Sequence, residues 1–123
     1  MLNLNTVMIY SEDPKPLTDF YTKVLGEPAW ADGGFVGWQA GNGTLMTGPH
    51  SEVKGRNDTP GRIIVNFETA DVPGEFDRIK GLGAKVEQAP YHPGGEGEQD
   101  MWLATFEDPD GNFFQLASPM PAQ

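Results

Sequence analysis

Residues 5–10 (NTVMIY) are apolar and β-branched, and Ser11-Glu12-Asp13-Pro14 then supplies turn and helix-start chemistry. The pattern predicts a strand running into a helix. Asp13 stands at the expected N-cap and Pro14 fits the first helical turn. Leu17, Phe20, Tyr21, Val24 and Leu25 recur at i, i+3, i+4, i+7 and i+8, one apolar stripe ended by Gly26. Short apolar runs follow at 29–31, 35–40 and 44–47, separated by Gly33-Gly34 and Gly41-Asn42-Gly43. These read as three hairpin-connected strands, and the polar segment 49–60 reads as a linker.

The pattern then begins again. Residues 62–69 (RIIVNFET) predict a strand, and Asp71 caps a helix carrying Val72, Phe76, Ile79 and Leu82 at helical spacing, ended by Gly83. A short strand at 85–87, a Gly/Pro-rich loop at 90–97, a strand at 101–107, the turn DPDGN at 108–112 and a last strand at 113–117 complete the chain. Asp13 and Asp71 lie 58 positions apart, Gly26 and Gly83 57, and Gly41-Asn42 and Gly111-Asn112 70. The chain therefore reads as two βαβββ modules, about 1–57 and 61–123, of one α+β domain, the second with an insertion in the loop 91–99.

Strand alternation sorts the faces. Val7, Ile9, Val65, Phe67, Phe114 and Leu116 are expected to meet the helices. Thr6, Met8, Tyr10, Ile64, Asn66, Leu103, Thr105, Phe113 and Gln115 are expected on the other face, an apolar surface with a few hydrogen-bonding groups, as small-molecule pockets have. Of the three tryptophans, Trp30, Trp38 and Trp102, Trp38 is the expected aromatic wall, with core or dimer packing as the plainer role for all three.

The 123 residues suit one domain and contain no cysteine, which excludes disulfides, thiolate nucleophiles, zinc ribbons and Cys-ligated iron–sulfur clusters. Eight Lys and Arg against 18 Asp and Glu give a net charge of −10. That balance opposes nucleic-acid binding and favours neutral or cationic ligands. No stretch has a bilayer-spanning composition, and the N-terminus does not resemble a signal peptide, so a soluble, cytoplasmic protein without a membrane partner is expected.

FYTKVLG at 20–26, the strand ending at Asp71-Val72, GLGAKV at 81–86 and FEDPDGNFFQL at 106–116 together resemble the vicinal oxygen chelate superfamily, which includes glyoxalase I, extradiol dioxygenases and the fosfomycin- and bleomycin-resistance proteins. The resemblance spans nearly the whole chain and is specific for a fold, not for a function. It implies that the two modules form a cup-shaped mixed sheet, and that the protein is a homodimer. It also implies a divalent metal in the metal-using members, held by His or Gln from the first strand, His from the strand opening the second module, and Glu from the strand after DPDGN.

Counted from the same motifs, those positions fall on Thr6, Ile64 and Gln115, with Leu45 at the equivalent of Gln115 in the first module. A hydroxyl, a carboxamide and two aliphatic groups offset none of a divalent ion's lost hydration, so no metal and no cofactor are expected. His50 lies in the linker; His92 lies in the Gly/Pro-rich loop near Glu96, Glu98 and Asp100, where a displaced metal site is conceivable. Asp108 and Asp110 are read as turn chemistry, and Glu68, Glu107 and Asp71 as strand-end or capping groups. No nucleophile–base pair is legible.

The leading expectation is a metal-independent protein that binds a small organic molecule through Thr6, Tyr10, Trp38, Ile64, Asn66, Thr105 and Gln115. A glyoxalase- or dioxygenase-type metalloenzyme with a displaced site is the alternative, and a protein-contact module is a third.

Overall fold

The β-branched run of the first module forms β1 (Thr6–Ser11), and the amphipathic stripe behind it forms α1 (Pro14–Leu25). The computed structural model describes residues 1–95, 97 and 100–119, and the chain divides into two units, Met1–Asn57 and Asp58–Gln123. In the first unit, β2 (Trp30–Asp32), β3 (Phe35–Ala40) and β4 (Gly43–Pro49) follow α1. Their sheet has the order β1-β4-β3-β2, with β1 parallel to β4 and the other pairs antiparallel. In the second unit, β5 (Val65–Glu68), α2 (Val72–Gly81), β6 (Lys85–Tyr91), β7 (Leu103–Glu107) and β8 (Phe113–Ala117) give the order β5-β8-β7-β6, with β5 parallel to β8. Both units are thus βαβββ, and the fold is α+β.

Each helix covers one face of its own sheet. Leu17, Tyr21 and Val24 of α1 are buried, as are Trp38, Leu45 and Thr47 of the sheet beneath. Full burial of side chains of this size contributes about 1.5–3 kcal/mol each, so the stripe itself is sufficient to dock the helix. This layer also holds polar contacts, among them the Thr18 and Thr47 hydroxyls, 2.8 Å apart. Under α2, Phe76 stacks on Phe106 at 5.1 Å between centroids, and Phe106 on Phe114 at 5.4 Å.

The helix starts differ from one another. Asp71 caps α2 through its side chain, accepting from the Gly74 N–H at 3.0 Å. Asp13 occupies the N-cap of α1 without a side-chain cap bond; its own N–H instead donates to Ser11 Oγ. At the other ends, Gly26 takes a positive φ of 96° and its N–H donates to the Thr22 carbonyl. Leu82, expected on the apolar stripe of α2, is the C-cap and 40% exposed, because the chain leaves the helix one turn after Ile79.

β4 runs Gly43–Pro49 rather than 44–47 and β7 Leu103–Glu107 rather than 101–107, and two further strands differ most from the sequence pattern. β5 begins at Val65 rather than at residue 62, because β8 supplies partners only from Phe114 to Ala117. β6 continues through Gln88 to Tyr91, past two register shifts, because β7 supplies Thr105 and Leu103 as partners. Pro90 is tolerated there, since β6 is an edge strand and needs no N–H on its outer side. Among the described residues no helix is long and apolar enough to cross a membrane.

Candidate functional site

The face of each sheet opposite its helix carries the candidate functional groups. Register sorts the first unit into three cross-strand rows on that open face. One runs Trp30, Gly37, Met46, Met8; the row on one side of it runs Asp32, Phe35, Gly48, Tyr10; the row on the other side runs Gln39, Thr44, Thr6. Met8 and Trp30 are 41% and 43% exposed. The Tyr10 hydroxyl donates to Met8 Sδ at 3.4 Å, and the His50 ring meets the Tyr10 ring edge-on at 5.0 Å. His50 is held further by its Nδ1, which accepts from the Glu52 N–H at 3.1 Å.

Thr6 and Tyr10 therefore lie on the open face as alternation predicts. Trp38 does not. It is 1% exposed, pairs with Leu45, packs near Tyr21 of α1, and donates through Nε1 to the Gly26 carbonyl at 3.1 Å. This corrects its expected place as an aromatic wall. In FVGWQA the wholly apolar set Val36, Trp38, Ala40 goes to the helix side, while Phe35, Gly37 and Gln39 alternate to the open side. Gln39 was the signal for this parity.

Leu45 is a second correction. It is 2% exposed on the helix side, and Met46 takes the open-face place beside Met8. Met8 in the first unit corresponds to Asn66 in the second, and Asn66 pairs with Gln115. Met46 is thus the counterpart of Gln115, one position off the spacing read from the turn glycines. A one-residue slip moves a strand position to the opposite face.

In the second unit the central open row runs Asn66, Gln115, Thr105, Gln88 across all four strands. Gln115 Nε2 donates to Thr105 Oγ1 at 3.1 Å, Asn66 Nδ2 to the Ile64 carbonyl at 3.3 Å and Gln88 Nε2 to the Ala89 carbonyl at 3.3 Å. The structure thus brings Asn66, Thr105 and Gln115 together and adds Gln88, which the sequence pattern had not placed in a strand. Thr105 is 5% exposed, Gln115 half-buried and Asn66 exposed; Ile64 is half-buried just before β5. The flanking row places Phe113 opposite Glu107, and Lys85 pairs with Glu107 at 3.0 Å.

The DPDGN turn is structural. Asp108 is 3% exposed, and its Oδ1 accepts from the N–H groups of Asp110 and Asn112 at 2.9 and 3.0 Å; Asn112 Nδ2 adds a contact to Oδ2 at 3.0 Å. His92 is docked against Trp102, with ring centroids 3.9 Å apart, and its Nδ1 is 2.9 Å from the Met101 carbonyl. A carbonyl only accepts, so this nitrogen carries the proton. Glu96 and Glu98 lie outside the described residues. Among the described residues, no group of three or more His, Cys, Asp and Glu side chains is arranged to hold a metal ion.

A family model described as a glyoxalase-like domain matches residues 6–117. Among curated proteins none matches. Several solved structures share the fold. A structure described as a conserved domain protein has 25% identity and a TM-score of 0.75, covering 97% of this chain and 100% of its own. A glyoxalase/bleomycin resistance protein/dioxygenase family enzyme from Burkholderia phytofirmans PsJN has 20% identity and a TM-score of 0.73, with 97% and 100% covered. A glyoxalase-related enzyme from Fulvimarina pelagi has 16% identity and a TM-score of 0.75, with 99% and 94% covered.

Proposed function

The chain belongs to the glyoxalase-like domain family, and with it to the vicinal oxygen chelate superfamily; on that premise we propose that it binds a small neutral or cationic organic molecule without a metal ion. The observation that carries this reading is the chemistry of the positions where the resemblance puts metal ligands. They hold Thr6, Ile64 and Gln115, with Met46 as the counterpart of Gln115. A hydroxyl, an aliphatic group, a carboxamide and a thioether bring no charge and no imidazole. The residues do not fit a catalytic divalent ion, which needs hard or borderline donors to replace its hydration shell.

The same faces suit an organic ligand. The first unit offers thioethers and aromatic rings, and the second a row of neutral amides and a hydroxyl, which can each donate and accept. The −10 charge favours a neutral or cationic ligand over an anion. In this reading the protein works in the cytoplasm as a homodimer, with neither nucleic acid nor membrane as partner.

A thermal-shift screen of small neutral and cationic organic compounds, run in EDTA, tests the proposal. Binding to the native state raises its stability by RT ln(1 + [L]/Kd), about 2.7 kcal/mol when ligand is a hundredfold above Kd. The expected result is a compound that stabilises the protein equally with and without chelator. A compound that acts only when a divalent metal is supplied would overturn the metal-free reading.

A further inference from the structure

We infer that the open face of the second unit recognises a linear aliphatic polyamine, held through its N–H groups along a diagonal of acceptors, Glu68, Gln115 and Glu107; this rests on the reading that the protein binds an organic ligand. Register defines the diagonal. Glu68 pairs with Ala117, Asn66 with Gln115, Gln115 with Thr105, and Phe113 with Glu107. Each step from β5 to β8 to β7 therefore moves one strand across and two residues along, and the three side chains stay on one face. That face lies away from α2, because Phe67, Phe114 and Phe106, each adjacent in sequence to one of the three, join Phe76 of the helix in an aromatic layer on the other side.

The groups on this face have acceptor capacity to spare. Asn66 Nδ2 and Gln88 Nε2 each donate to a backbone carbonyl. A carbonyl only accepts, so both amides are oriented with nitrogen to the backbone, and Asn66 Oδ1 and Gln88 Oε1 are left as acceptors. Gln115 Nε2 donates to Thr105 Oγ1, which leaves Gln115 Oε1 in the same state. Glu68 is exposed and forms no ion pair among the described residues. Glu107 is 9% exposed and holds Lys85 Nζ at 3.0 Å, a side chain itself 70% exposed. A carboxylate has about four lone-pair sites, so Glu107 can accept a ligand ammonium beside Lys85 or in its place.

The occupant follows from these groups. Amide oxygens and carboxylates call for N–H donors and positive charge, and the net charge of −10 acts in the same sense. Glu68 and Glu107 stand about 16 Å apart at the backbone, two strand spacings across and four residues along, with Gln115 midway. A single ammonium does not bridge that gap. A flexible chain with an amine at each end and another between them does, as the two Glu side chains lean inward.

Isothermal titration calorimetry with spermidine, a linear triamine, tests this directly. Glu68 is exposed, so Glu68→Gln is expected to fold, as circular dichroism would verify. One spermidine should bind per chain, and Glu68→Gln should bind it about tenfold more weakly, the loss expected for one charge-assisted hydrogen bond. Glu107→Gln should weaken it at least as much. Glu27→Gln removes the same charge from an exposed position of the first unit and should leave the affinity unchanged. Putrescine, a diamine too short to span the diagonal, should bind far more weakly than spermidine. Equal losses in Glu68→Gln and Glu27→Gln would reveal attraction to overall charge alone and overturn the inference, as would putrescine binding as tightly as spermidine. If spermidine fails to bind while another compound stabilises the protein in EDTA, this assignment falls and the broader proposal stands. If no organic compound stabilises it in EDTA, both fall.

Discussion

Replacing Trp38 by Phe separates a core role from a ligand-binding one. Trp38 is 1% exposed between the sheet and α1, and its Nε1–H donates to the Gly26 carbonyl at 3.1 Å. Phe keeps an aromatic ring but loses the hydrogen bond, worth about 0.5–1.5 kcal/mol net. It also leaves part of the indole's volume unfilled, a cavity effect of about 1–2 kcal/mol for a partial truncation. The sum is about 1.5–3.5 kcal/mol, which for a chain of 123 residues lowers Tm by about 6–14 °C. The alanine variant would lose about 3–5 kcal/mol, a large share of the about 5–15 kcal/mol that a domain has in total, so Phe is the informative change. Urea unfolding followed by circular dichroism should show a lower midpoint at unchanged slope, while affinity for a compound found in the thermal-shift screen stays as in the unaltered protein. A midpoint that does not move, with weaker binding of that compound, would refute the placement of Trp38 in the core.

Other outcomes follow from the same contacts. Asp71→Ala should destabilise by about 1 kcal/mol through loss of a helix cap, whereas Asp13→Ala, whose side chain makes no cap bond, should change stability by less than about 0.5 kcal/mol; paired urea midpoints would check the contrast, and equal losses would contradict it. Asp108→Ala should cost about 2–4 kcal/mol, because it leaves the Asp110 and Asn112 N–H groups, which it accepts at 2.9 and 3.0 Å, without their charged partner. A loss below about 0.5 kcal/mol would show that the turn holds without it. Size-exclusion chromatography with light scattering should give a dimer, and a monomer across the accessible concentration range would contradict the homodimer proposed above.

Much of this was legible in the sequence because local signals agreed with one another. The stripe Leu17, Tyr21, Val24 and the cap Gly26 gave α1, and uninterrupted apolar runs between turn residues gave β3 and β8 with the ends observed. The extent of β5 and β6 was not legible, since strand ends are set by the partner strand: β8 stops β5 short, and β7 carries β6 past Pro90. For the same reason Gln88 could not be placed in the amide row.

The candidate face was legible where alternation was unambiguous, as at Thr6, Tyr10, Asn66 and Gln115, and failed where it was not. Trp38 drew attention by size, although its alternation with Gln39 put it in the core. Leu45 was misplaced because the spacing of the turn glycines differs by one residue from the spacing of the strands. The Trp30 ring lies against Gly37 and the Phe35 ring against Gly48, contacts that arise across strands, so only the register discloses them.

The most direct test of metal-independent binding is the metal content of the purified protein by mass spectrometry, completed by thermal-shift titrations with Zn, Ni, Mn and Fe(II). Thr6, Ile64, Met46 and Gln115 at the ligand positions predict substoichiometric metal and no stabilising shift with any of the four. A stoichiometric metal, or a large stabilising shift with one of them, would contradict the account.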